Sequence, residues 1–246
     1  MGNMCATNSF SVPLSFRLSG SALKIIAVLS MVTDHCAYYL LEQGTLLYEL
    51  MRCLGRIAFP VFAFLIAEGF AHTHSRSRYF LTLLAFAVIS EIPWYLLNGC
   101  DGTHNVMFTL AIGVVAIAAF DRLREHQILS IGSVMLFSFL AWKFGSDYDW
   151  RGVLMIVIFY MLQRRTIEPW IERNQINFPC QALLQIAFTL PLMMHYGTVG
   201  VIMASCAIFL YDGTRGFISG KVAKYAFYVI YPTHLLLIAG LIMIMD

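Results

Sequence analysis

An acid and an imidazole stand side by side, Asp34-His35, in the middle of a long apolar run. Leu23, Ile25, Ile26, Val28 and Leu29 precede them, and Tyr38, Leu40 and Leu41 follow. At bilayer depth a charge costs about 2.5 to 3.5 kcal/mol on insertion scales, so ionisable groups there usually face a bundle interior and serve function. Asp34 can hold an imidazole in one tautomer and raise its basicity, which makes His35 a candidate general base inside a membrane. Arg56, Glu91, Asn105 and His234 are the other polar groups in apolar segments that could join it. Each has a plainer reading. Arg56 can snorkel to the headgroups, Glu91 can serve only as its structural ion-pair partner, and a lone His234 can be a satisfied core histidine. The run Tyr231-Pro232-Thr233-His234 would break the helix directly before that imidazole, which favours a role for it.

Three further clusters carry weaker signals. His72-Thr73-His74 has metal-like spacing, but no third ligand is near and Arg76 and Arg78 follow, so we expect a basic loop and no metal. Asp147-Tyr148-Asp149-Trp150-Arg151-Gly152 could border an acceptor entrance or be an aromatic-belt turn. Asp212-Gly213-Thr214-Arg215-Gly216, with Lys221 and Lys224, could hold the phosphates of a nucleotide-bearing donor or simply be cytoplasmic positive charge. The six cysteines show no C-x-x-C and no metal spacing; Cys53 and Cys100 fall in loops expected on one side, where a disulfide could form.

These residues need elements to hold them. The chain is 59% hydrophobic and only 12% charged, with a mean hydropathy of +0.73. A soluble domain averages about 25% charged, so this composition describes an integral membrane protein. Its net charge of +2 is small and dispersed, which gives no sign of a nucleic-acid partner. Stretches close to membrane-helix length run Ser21–Leu41, Leu54–Ala71, Tyr79–Leu97, Asn105–Phe120, Ile128–Phe144, Arg151–Gln163, Cys180–Tyr196, Thr198–Tyr211 and Val222–Met245. With the N-terminus cytoplasmic, the inner side holds Arg17, Lys24, Arg76, Arg78, Arg122, Arg124, Arg164, Arg165, Arg173, Arg215, Lys221 and Lys224. The outer loops hold only Arg52 and Arg151. That bias predicts an all-α polytopic bundle of about nine spans, N-terminus in. Residues 1–20 would be a cytoplasmic segment without a removable signal peptide, and residues 21–246 a single transmembrane domain.

Depth follows from that topology. Asp34 and His35 lie about 20 Å along the first span, in the outer half. Arg56, Glu91, Asn105 and His234 reach the same level, so all six can converge. Glu68 falls near the inner surface. Pro60, Pro93, Pro191 and Pro232 each remove a backbone donor within a span. They can be ordinary kinks, or Pro60 and Pro232, beside Arg56 and His234, can open a polar pocket.

Several long motifs in order resemble one family. They are Leu23-Lys24…Met31-Val-Thr-Asp34-His35, Gly55-Arg56-Ile-Ala-Phe-Pro60 through Glu68-Gly69-Phe70-Ala-His72, and Ile89-Ser90-Glu91-Ile92-Pro93. Asn105-Val-Met-Phe108-Thr109-Leu110, Asp147-Tyr148 and Lys224-Tyr225…Tyr231-Pro232-Thr-His234 continue the series. Together they are similar to the TraX family across nearly the whole chain from Ser21. The resemblance implies a multi-pass acetyltransferase of the bacterial inner membrane, using acetyl-CoA to acetylate the N-terminal amine of a pilin or another exported acceptor. The positions that carry over are Asp34, His35, Arg56, Glu68, Glu91 and His234.

Transfer from a thioester needs a base for the acceptor's proton and a donor group for the oxyanion. The expected roles are His35 as base, oriented by Asp34, and His234 as a second proton carrier or transient acetyl acceptor. Arg56 would stabilise the oxyanion or the donor, with Glu91 positioning it. Arg56, Glu68, Arg215 and Lys224 would bind acetyl-CoA. Two other classes stay open: a proton-coupled transporter with a buried Asp-His relay, and a non-catalytic assembly factor for a surface fibre.

Overall fold

A computed structural model describes residues 17–163, 178–194, 197–218 and 220–245. Residues 1–16 of the expected N-terminal segment, with Cys5, and Arg164, Arg165 and Arg173 lie outside the described residues, as do the side chains of Cys180, Lys221 and Lys224. The rest is helical, with two isolated backbone bridges, Leu18–Tyr211 and His104–Ser146, in place of strands among the described residues. In chain order the helices are α1 Gly20–Leu40, α2 Leu46–Gly55, α3 Ala58–His72, α4 Arg76–Asn98 and α5 Val106–Arg122. They continue with α6 Gln127–Phe144, α7 Asp149–Met161, α8 Phe178–Met193, α9 Thr198–Phe209 and α10 Lys221–Met245.

Each expected span overlaps one of these helices, and the second overlaps two. Five helical stretches are both long and apolar enough to cross a membrane: Gly20–Leu40, Leu46–His72, Arg76–Asn98, Gln127–Phe144 and Tyr225–Met245. Helices α5, α7, α8 and α9 are shorter, at 17, 13, 16 and 12 residues.

The second span departs from the sequence expectation. It starts at Leu46, not Leu54, and is broken at Arg56–Ile57 into α2 and α3. Pro60 accounts for the break. It has no N–H to donate to the Arg56 carbonyl one turn earlier, and its ring crowds that carbonyl. Thr45 caps the new start, its hydroxyl accepting the Tyr48 N–H at 3.3 Å.

The centre is built from α3, α5 and α7. Val61, Phe64 and Phe70 interlock with Val114 and Ile117, and with Val153, Met155, Ile156 and Phe159. Around this core, α1 packs on α2, α3 and α10, while α4 packs on α5 and α10. The outer faces stay apolar: Ile128, Leu129, Ile131, Met135 and Leu136 of α6 are all exposed. Five apolar spans with apolar outsides are the make-up of a membrane protein, since lipid and not water is the solvent such a surface suits.

Polar groups cap the helix ends. Ser19 caps α1, Ser75 caps α4 and Asn105 caps α5. Gly145 ends α6 with φ of 72°, and its N–H donates to the Trp142 carbonyl at 3.1 Å. A β-carbon there would also run into the Gly102 carbonyl, so only glycine fits this turn. Cys53 and Cys100 are free thiols, so the disulfide that the sequence left open is not formed: Cys53 is half-buried within α2, while Cys100 is exposed just past the end of α4.

Candidate functional site: a histidine pair at one end of the bundle

His35 of α1 and His234 of α10, which are 199 residues apart in sequence, meet with Nδ1 of the first 2.6 Å from Nε2 of the second. Their ring planes are within 5° and their centroids 4.9 Å apart. Two ring radii added to a 2.6 Å contact account for that separation only if the nitrogens point at each other in a common plane. The rings therefore lie edge to edge along a linear hydrogen bond and are not stacked face on face.

The tautomers follow from the partners. His234 Nδ1 lies 2.8 Å from the Ile230 carbonyl, which can only accept, so this nitrogen carries the proton. In neutral His234, Nε2 is then the acceptor, and His35 must donate from Nδ1. Neutral His35 is left with its lone pair on Nε2. The arrangement is a relay: carbonyl, imidazole, imidazole, open base. His234 is buried (7% exposed) and His35 half-buried, so the open end of the relay is on the less buried ring. Tyr39 and Tyr231 wall the pair, each with its centroid 6.2 Å from that of His35.

Asp34 does not orient His35, contrary to expectation. Neighbouring helix positions point about 100° apart, so an adjacent acid and imidazole cannot face one another. Asp34 turns to α2 instead, where its Oδ2 accepts from Arg52 at 2.7 Å. The backbone of α2 comes so close that a β-carbon on Gly55 would collide with the Asp34 carboxylate. Asp34 Oδ1 is buried without a hydrogen-bond partner among the described residues. Arg52 also lies over the Tyr38 ring at 5.0 Å.

Arg56, four residues after Arg52, sits at the α2–α3 break, where Gly200 of α9 packs directly against it. Its charge acts on both Asp34 and Asp147, but its guanidinium makes no hydrogen bond or ion pair with the other described residues. Asp147 lies in the turn between α6 and α7. Burial pushes its carboxyl up to about 6 from an ordinary 3.8, against the pull of the Tyr148 N–H and the Arg56 charge. The turn is strained, with φ of 64° at Tyr148 and 39° at Asp149. It is held by Thr109, whose hydroxyl donates to the Asp147 carbonyl, and by Phe59, whose ring stacks on Tyr148.

Glu91 does not position Arg56. It lies on α4 and is taken by groups nearer to it: His104 Nδ1 at 2.5 Å and Asn105 Nδ2 at 2.6 Å. Asn105 is fully buried and also donates to the Ala87 carbonyl, while its Oδ1 caps α5 at the Met107 N–H. A belt links this group to the histidine pair. Tyr39 donates to Asn98, Asn98 to the Trp94 carbonyl, and Trp94 to Thr103, which precedes His104. The His104 carbonyl also accepts the Asp147 N–H at 2.8 Å.

Glu68 and Arg215 are elsewhere. Glu68 is twelve residues beyond Arg56 along α3, about 18 Å away, with His72 Nδ1 3.6 Å from its carboxylate. Arg215 is exposed in the loop that clasps the start of α1, where its carbonyl accepts from the Ser21 hydroxyl. Lys224 is in the first turn of α10. The expected donor-binding residues Glu68 and Arg215 thus lie toward the opposite end from the histidine pair.

Sequence reasoning missed three participants. Arg52 was taken as loop charge, although its spacing to Arg56 puts both guanidiniums on one face of a helix once that helix is recognised. His104 was passed over beside the buried Asn105. Asp147 was noted only as a member of a loop cluster.

The fold and site define a polytopic helical membrane protein with an in-line histidine pair and two acid–base clusters at one end. The sequence model described as TraX protein matches residues 19–242, and the chain belongs to the TraX family. It is 29% identical over 240 residues to a protein of Dichelobacter nodosus described as "Probable fimbrial assembly protein FimC, serogroup H1", covering 90% of this chain and 95% of that one. It is 24% identical over 145 residues to an uncharacterized protein of Rickettsia prowazekii (strain Madrid E), covering 57% of this chain and 54% of that one. No solved structure matches it.

Proposed function

We propose that this protein is an acetyltransferase of the bacterial inner membrane, moving acetyl from acetyl-CoA to the N-terminal amine of a pilin-class subunit on the outer side. The observation that carries this reading is the His35–His234 contact, which leaves a lone pair on Nε2 of His35 backed by a second imidazole. The description of the Dichelobacter relative as a probable fimbrial assembly protein supports a surface-fibre acceptor. In the reaction the acceptor nitrogen attacks the thioester carbonyl, a C–N bond forms and the C–S bond breaks. His35 Nε2 takes the proton shed by the nitrogen, and the positive charge spreads to His234 through the shared hydrogen bond. The electron pair leaves on the CoA sulfur, which receives that proton. Arg56 stabilises the oxyanion, and the Asp34–Arg52 pair fixes α1 against α2 so that His35 faces α10.

The reading includes nine spans with the N-terminus cytoplasmic, which puts the histidine pair in the outer half. Glu68, Arg215 and Lys224 then lie toward the cytoplasmic face, where the donor's phosphates would enter, and an extended donor would reach along the bundle to His35. The test is the intact mass of surface-fibre subunits from cells with and without this protein. Loss of one acetyl mass at the subunit N-terminus is expected, and unchanged subunits would refute the proposal.

A further inference from the structure

The histidine pair leaves one chemical requirement unmet. An α-amine has a pKa of about 7.7 to 8.0 and arrives near neutral pH mostly as the ammonium, which has no lone pair to attack with. His35 cannot supply both proton transfers at once, because its single open nitrogen is needed when the tetrahedral adduct sheds its proton. A second base has to act earlier, on the acceptor alone.

Glu91, His104 and Asn105 have the form such a base requires. Glu91 Oε1 faces His104 Nδ1 at 2.5 Å, so the carboxylate fixes the proton on Nδ1 and leaves Nε2 as the basic nitrogen. The carboxylate is itself held from behind by Asn105 at 2.6 Å, and Asn105 is locked by the Ala87 carbonyl and the start of α5. The His104 ring lies nearly parallel to Phe144, 4.1 Å between centroids, and Phe108 stands edge-on at 5.8 Å. Its side chain is 33% exposed, and that of Glu91 30%, so the dyad is rigid but reachable. The charged groups around it are Glu91 from α4 and Asp101 from its own loop. Both are acids, an environment that draws a cation.

We propose that His104, fixed by Glu91 and Asn105, receives the acceptor's ammonium and removes its first proton, so that transfer uses two bases in sequence. This rests on the amine-acetylation reading above and assigns a residue to its acceptor side. The ammonium N–H bond breaks, its proton goes to His104 Nε2, and the electron pair left on nitrogen becomes the nucleophile for the thioester. His35 then takes the second proton, and His104 returns its own to solvent.

The test uses the full-length protein in detergent, acetyl-CoA and a peptide with a free N-terminal amine, with rates followed across pH. In His104→Asn, the side-chain amide still donates to Glu91 but cannot accept the proton. Wild type should depend weakly on pH. His104→Asn should be at least about tenfold slower near pH 6.5 and come within about twofold of wild type near pH 9, where the amine is already neutral. Glu91→Gln, which weakens the same base from behind, should show the same convergence and serves if His104→Asn does not fold. A defect that is equal at every pH, or no defect, overturns the proposal. Wild type that fails to acetylate the peptide at any pH overturns the acetyltransferase reading itself.

Discussion

Replacing His234 separates the two things that it does for His35. It accepts the Nδ1 proton, which fixes the tautomer, and it shares the charge that His35 acquires. His234→Gln keeps an amide oxygen that can accept from His35 Nδ1 but cannot share the charge; His234→Ala keeps neither. A hydrogen bond to a charged group contributes about 1.5 to 3 kcal/mol, which corresponds to about 10- to 150-fold in rate. The contact at 2.6 Å in the plane of both rings belongs at the stronger end of that range. His234→Ala adds the freedom of His35 to adopt the other tautomer, and a histidine in the wrong tautomer can lose about 10⁴-fold. The expected order of acetyl transfer to a peptide amine is therefore wild type, then His234→Gln, then His234→Ala, with His35→Ala down at least about a hundredfold. Single-turnover rates with excess protein would read this directly. Full activity in His234→Ala, or a His234→Gln variant as slow as His234→Ala, would refute the relay.

Three other expectations follow from the same geometry. Arg52→Ala strands the Asp34 carboxylate and should cost about 3 to 5 kcal/mol of stability, with Asp34→Asn in the same chain recovering most of it; thermal unfolding in detergent checks this, and additive losses would contradict it. Gly55→Ala should separate α1 from α2 and lower both stability and transfer, whereas Gly132→Ala, with open space around it, should change neither. Asp147 binds its proton more tightly folded than unfolded, so its contribution to stability falls as pH rises from about 4 to about 6 and is flat above. Melting temperatures of Asp147→Asn should lack that component, and identical pH profiles for the two proteins would show that Asp147 does not titrate there.

Which features were legible depended on whether they lay along the chain or between its parts. Asp34, His35, Glu91, Asn105 and His234 announced themselves because ionisable and amide groups in apolar runs are costly. Their shared level followed from helix rise and the order of spans. Rotation about each helix axis was not legible, and it decided the pairing. It turned Asp34 away from His35 toward Arg52, and it gave Glu91 to His104 and not to Arg56. The start of α2 at Leu46 was hidden because Glu49 and Arg52 interrupt the apolar pattern of a helix that packs on α1. The break at Arg56 could be traced to Pro60, but only after the helix before it was known.

The central claim is that the paired imidazoles move the proton in acetyl transfer. It is tested most directly by incubating purified wild-type protein and His35→Ala with isotopically labelled acetyl-CoA and an amine-terminated peptide, then weighing the peptide. The account predicts labelled acetyl on the peptide's N-terminal nitrogen with wild type, and at least about a hundredfold less with a folded His35→Ala protein. Equal labelling by the two proteins would contradict it.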